Sequence, residues 1–97
     1  MMIKYETLFI LHPSLNEEEV NANVEKFKGI IENEGGQIEN VDLWGKRKLA
    51  YEIKKVNEGY YVLINFLANS ELPKELDRVF RITDSVIRHL IVNNESK

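Results

Sequence analysis

The strongest constraint on the fold is a change of hydrophobic period along the chain. Val20, Val24, Phe27 and Ile31 recur at spacings of four, three and four, which draws one apolar stripe along a helix. Pro13 precedes this stretch and ends a segment from Ile3 to Leu11 that is rich in β-branched and aromatic residues, the composition of a strand. Asn16 is placed to cap the helix, with Glu19 three residues on as in a capping box, and Glu17 to Glu19 suit the positive end of the helix dipole. Gly35-Gly36 closes it.

The period then returns to that of extended chain. Gln37 to Ile53 carries Ile38, Val41, Leu43, Leu49, Tyr51 and Ile53, with Gly45 as a bulge or bend that changes side-chain parity. Asn57-Glu58-Gly59 reads as a turn, so that Tyr60 to Leu67 pairs back as a hairpin. Asn69 or Ser70 opens a second helix with Pro73 in its first turn and Leu72, Leu76, Val79 and Phe80 as its stripe. Thr83-Asp84-Ser85 breaks it, and Val86 to Val92 is a last strand.

The order β, α, β, β, α, β predicts an α+β, ferredoxin-like domain. Right-handed crossovers put both helices on one face of a four-stranded antiparallel sheet of order 4-1-3-2. The 97 residues suffice for one such domain, expected over 1–92, with 93–97 as a short flexible tail. The basic second strand then lies on an edge, and the other sheet face is open to water or to a partner.

Alternation assigns the faces. Tyr5, Thr7, Phe9 and Leu11, with Val62, Ile64 and Phe66, are expected under the helices. Glu6, Leu8, Ile10, Tyr61, Leu63, Asn65 and Arg88 are expected on the open face. Leu8, Ile10, Tyr61 and Leu63 there would form either a docking patch or ordinary exposed apolar area.

Composition removes several classes of function. There is no cysteine, which excludes disulfides, thiolate metal sites and a cysteine nucleophile. No apolar run approaches the ~20 residues of a membrane span, and Met1 to Glu6 lacks a signal-peptide pattern, so the expected location is the cytoplasm, without a membrane partner. His12 and His89 do not form metal-ligand spacing, and neither looks catalytic. His12 reads as a strand-end residue, and His89, alternating with Arg88, as one that faces the helices. The serines lack a nucleophile elbow, and no glycine-rich phosphate loop follows a strand. No enzyme, cofactor, metal or small-molecule substrate is expected. An enzyme on the same fold would need an anion cradle after the first strand, where His12-Pro13-Ser14-Leu15-Asn16 offers no glycine nest. A regulatory or ligand-binding domain using the open face remains the alternative.

The net charge of −3 does not by itself suggest a nucleic-acid partner, but the bases are clustered at Lys46-Arg47-Lys48, Lys54-Lys55, and Arg78, Arg81 and Arg88. Gly45-Lys46-Arg47-Lys48-Leu49-Ala50-Tyr51-Glu52-Ile53-Lys54 sets three consecutive bases close to a tyrosine. That combination suits RNA, through phosphate neutralisation and stacking. It also suits an edge strand, where lysine prevents aggregation. Arg78, Arg81 and Arg88 present a similar choice between phosphate or partner contacts and pairing with Glu75, Asp77 or Asp84, with Arg78 read as internally paired.

The same stretch resembles the signature of the bacterial small-subunit ribosomal protein six family. Tyr5-Glu6 with Phe9-Ile10-Leu11, Trp44-Gly45, Gly59-Tyr60-Tyr61-Val62 with Phe66, Glu75-Leu76-Asp77-Arg78, and Arg81-Ile82, Asp84 and Arg88 resemble other pieces of that family in order, from about Ile3 to Val92. Two departures stand out: Glu52 replaces a common proline, and the tail is short. The resemblance implies a structural protein that binds the central domain of small-subunit ribosomal RNA during assembly, paired with ribosomal protein eighteen, and therefore ribosome-bound. On this reading Lys46, Arg47, Lys48, Tyr51, Arg81 and Arg88 are the expected RNA contacts, and Leu8, Ile10, Tyr61 and Leu63 the expected partner contacts.

Overall fold

The computed structural model describes residues 2–94, which form β1 (Ile3–Leu11), α1 (Glu17–Asn33), β2 (Gln37–Ile53), β3 (Val56–Ala68), α2 (Leu72–Ile82) and β4 (Val86–Asn93). The strands make one antiparallel sheet in the order β2-β3-β1-β4, which is the expected 4-1-3-2 read from the opposite edge. The element order and the topology are those predicted from periodicity.

The local signals act as expected in both helices. Asn16 Oδ1 accepts the Glu19 N–H at 2.8 Å, while Glu19 Oε1 accepts the Asn16 N–H at 2.9 Å, a complete capping box. The buried residues of α1 are Val20, Val24, Phe27 and Ile31, the predicted stripe. Asn69 Oδ1 accepts the N–H groups of Glu71 and Leu72 at 3.0 and 3.1 Å, satisfying donors at the start of α2, and Pro73 sits in its first turn.

The two helical stripes pack with Tyr5, Phe9, Leu11, Val62, Ile64 and Phe66 in one core. Phe9, Phe27 and Phe80, from β1, α1 and α2, meet with ring centroids 4.6–5.0 Å apart. Burying each such ring contributes roughly 1.5–3 kcal/mol, so this trio is a principal tie between sheet and helices. Thr7 is fully buried among them, and its hydroxyl donates to the Leu90 carbonyl at 2.9 Å.

Three expectations need correction. The hairpin turn is at Lys54-Lys55, both with positive φ (50° and 67°), and not at Asn57-Glu58-Gly59, which lies within β3. Consecutive left-handed residues reverse the chain with a twist that matches the strands. Gly59 serves a different need: it lets β3 come close to Ile10 and Leu11. Residue 93 is not part of a loose tail. Asn93 ends β4, and the Asn94 N–H donates to the Lys4 carbonyl at 2.9 Å; the rest of the predicted tail lies outside the described residues.

Ile10 is the third correction. It is on the open side, as alternation requires, but only 6% exposed, and so is no surface contact. The cause is an arm formed by the far ends of β2 and β3. Lys48 pairs with Glu58 and Ile53 with Val56, so that residues 49–52 stand against Asn57 alone. This surplus on one strand bends the hairpin. The arm reaches past the end of β1 to β4, where Lys54 Nζ donates to the Val86 carbonyl at 3.4 Å and Arg88 donates to the Tyr51 hydroxyl. Ile10 and Ile87 are buried on this side, outside the main core.

Candidate functional site

The open sheet face is the surface on which most of the predicted residues converge. Register places Leu63, Leu8 and Leu90 in one row across β3, β1 and β4. Leu8 and Leu63 are partly exposed and Leu90 is 57% exposed, with Val92 beside it on the same face. The next row holds Tyr61, Ile10 and Arg88. A depression of about 260 Å³ opens here, lined by Leu8, Ile10, Arg88, His89 and Leu90. Leu8, Tyr61 and Leu63 are thus together as expected, and Ile10 lies buried beside them.

Sequence reasoning missed Leu90 and Trp44. Leu90 follows Arg88 by two, so strand parity alone could have put it on this face. Trp44 stands in the register shift between Leu43 and Gly45, where Gly45 adopts φ +80°, and this irregularity obscures parity. Its ring stacks on Tyr61 with centroids 5.9 Å apart and planes 7° apart, and its indole N–H donates to Asp42 at 3.0 Å.

The basic run does not act as one patch. Arg47 lies opposite Gly59 on the open side, its guanidinium 6.0 Å from the Trp44 ring centre and its Nε donating to the Trp44 carbonyl at 3.3 Å. Lys46 and Lys48, opposite Tyr60 and Glu58, have the other parity. Lys46 Nζ sits 5.2 Å from the Tyr60 ring, which packs against the core. Alternation along a strand sends neighbouring bases to opposite faces.

A second cation–aromatic pair stands across the face. The Arg88 guanidinium lies 5.6 Å from the centre of the Tyr51 ring as well as donating to its hydroxyl, and Tyr51 is 60% exposed. Arginine held against an aromatic ring keeps N–H groups available for phosphate oxygens, and exposed rings offer stacking surfaces for bases. The face therefore combines an apolar row with a cation–aromatic pair on either side.

Arg81 is elsewhere. It lies on α2, on the helix layer, ion-paired to Asp77 at 2.7 Å. Asp77 also meets His89 Nε2 at 2.6 Å, and His89 stacks on Phe80, which accounts for the helix-facing histidine. Arg78 pairs with Glu75 through two hydrogen bonds of 2.9 and 2.7 Å. Those bonds hold the Glu75 carboxyl below its ordinary range and raise Arg78. His12 Nδ1 accepts the Ser14 N–H at 3.1 Å, a turn contact after β1. Among the described residues no three His, Asp or Glu side chains are grouped to hold a metal, and no helix is long and apolar enough to cross a membrane.

Fold and face together define an α+β plait of the ferredoxin-like class whose distinctive surface is an open sheet. The family model for ribosomal protein S6 matches residues 4–93. The small ribosomal subunit protein bS6 of Clostridium kluyveri is 78% identical over 94 residues, covering 97% of this chain and 99% of that one. The protein of the same name from Clostridium botulinum (strain Loch Maree / Type A3) is 73% identical, covering 97% and 100%. The crystal structure of 30S ribosomal protein S6 from Thermotoga maritima superposes with a TM-score of 0.93 at 40% identity, covering 97% of this chain and 89% of that one. The chain belongs to the ribosomal protein S6 family, a family of structural proteins of the small ribosomal subunit and not of enzymes.

Proposed function

We propose that the chain is a structural constituent of the small ribosomal subunit, ribosome-bound, and that it binds the central domain of small-subunit ribosomal RNA together with ribosomal protein eighteen during assembly. The observation that carries this reading is the family match along residues 4–93. The open face supports it physically. The apolar row of Leu63, Leu8 and Leu90 is the part suited to a protein partner, since removing such area from water drives association. Arg47 with Trp44, and Arg88 with Tyr51, are suited to phosphate and base. Lys46 and Lys48 remain RNA candidates on the opposite side of the same strand, and Arg81 is the one predicted contact on the helix layer. A dual partner also fits an acidic chain of net charge −3, because the RNA contact then involves only a few phosphates.

The test is recovery of the tagged chain from cell extract with identification of bound RNA and protein. Small-subunit ribosomal RNA and ribosomal protein eighteen are expected together. Their absence, or recovery of an unrelated small ligand alone, overturns the proposal.

A further inference from the structure

The arm at the end of β2 and β3 is joined to a strand at the opposite edge of the sheet. β2 and β4 are the two outer strands, yet Arg88 of β4 donates to the Tyr51 hydroxyl of β2, and Lys54 Nζ reaches the Val86 carbonyl. Tyr51 comes from the stretch where residues 49–52 outnumber their partner, and Lys54 from the turn that follows it, so the bend made by the surplus chain carries both toward β4. Beneath the arm Ile10 and Ile87 are each only 6% exposed, and Gly59 leaves no room for a Cβ against Ile10. Tyr51 itself remains 60% exposed, so its hydroxyl contact is not a by-product of burial.

We infer that Tyr51 is a positioning residue: it clasps the arm to β4 and holds the Arg88 guanidinium in the orientation that meets an RNA phosphate. This deepens the RNA-binding reading and rests on it. The physical reason is entropy. A free arginine on an edge strand samples many rotamers, and ordering it on binding costs conformational entropy. One held in advance by a hydroxyl and a ring loses less. The clasp also joins two sites far apart in sequence, so that closure of the arm and presentation of Arg88 are one event.

Two measurements on the full chain test this. The first is amide hydrogen exchange of the protein alone. In Tyr51→Phe, amides of the arm and of residues 86–88 are expected to exchange about ten-fold faster, with those of Phe9, Phe27 and Phe80 unchanged. Unchanged arm exchange overturns the clasp. The second is a double-mutant cycle, with the small-subunit RNA recovered in the pull-down as the probe and ribosomal protein eighteen present. Tyr51→Phe and Arg88→Ala are each expected to weaken binding and to lower the salt slope by about one, and the double variant to be no weaker than Arg88→Ala. Additive losses mean that Tyr51 touches RNA on its own account, and overturn the positioning role. If the wild-type chain retains no RNA, the reading on which the inference rests fails, while the exchange experiment still decides the clasp.

Discussion

Gly59 lies against Ile10 so closely that a Cβ on the glycine would stand 2.5 Å from Ile10 Cγ2, and 2.9 Å from the Leu11 carbonyl oxygen. This contact lets β3 close over Ile10 at the base of the arm, and it explains why an isoleucine on the open side of the sheet is buried. Gly59→Ala is expected to destabilise the domain by about 1–3 kcal/mol, the usual cost of overpacking where a backbone atom must move. Denaturant unfolding measures it. A midpoint equal to that of the wild type would mean that the approach is not tight.

The bidentate pair of Glu75 and Arg78 makes a pH prediction with a definite sign. The hydrogen bonds from Arg78 lower the Glu75 carboxyl below its ordinary 4.5 in the folded state. Any stabilisation is therefore present above that ordinary value and is lost as pH falls through the lowered one. The pair is exposed, so the effect on global stability is small. Carbon-detected NMR titration should find the Glu75 midpoint below 4.5 and, in Arg78→Ala, moved upward. A midpoint indifferent to Arg78 contradicts the geometry.

Leu90 is the most exposed member of the apolar row. Leu90→Lys is expected to leave stability within roughly 0.5 kcal/mol, as for a surface change. It should reduce recovery of ribosomal protein eighteen several-fold in the pull-down, because a charge would enter the most exposed part of the proposed docking row. Undiminished recovery would move the protein contact away from this row.

Arg47 and Lys46 are neighbours in sequence but lie on opposite sides of β2. If the open side is the one that meets RNA, Arg47→Ala should weaken RNA retention more than Lys46→Ala, with neither unfolding the domain. Together with Lys48→Ala, the changes should impair incorporation into the small subunit. Equal effects from Arg47 and Lys46 would mean that RNA wraps the edge and does not lie on one face.

Most of the fold was legible because each element is specified by local chemistry. The Asn16–Glu19 capping box, the stripe from Val20 to Ile31 and the alternation from Tyr5 to Leu11 all act within a few residues. Glycine at 59 was misread because the residue has two uses: it can reverse a chain or admit a close neighbour. Here a pair of lysines makes the turn instead, so the expected punctuation was in the wrong place. Trp44 escaped because a bulge shifts parity by an amount the sequence does not display.

The sequence by itself determined the six elements, their order, the sheet topology and the identity of the core face, since hydrophobic period and caps are properties of neighbouring residues. It also carried the family signature, with Glu52 as a departure within it. Only the tertiary structure decided what became of the open face. It buried Ile10, divided Lys46-Arg47-Lys48 between two sides, added Leu90 and Trp44, and joined Tyr51 to Arg88 across the width of the sheet. These outcomes depend on the bend of one long hairpin and on contacts between residues 37 positions apart. No local rule specifies where such a bend carries a side chain.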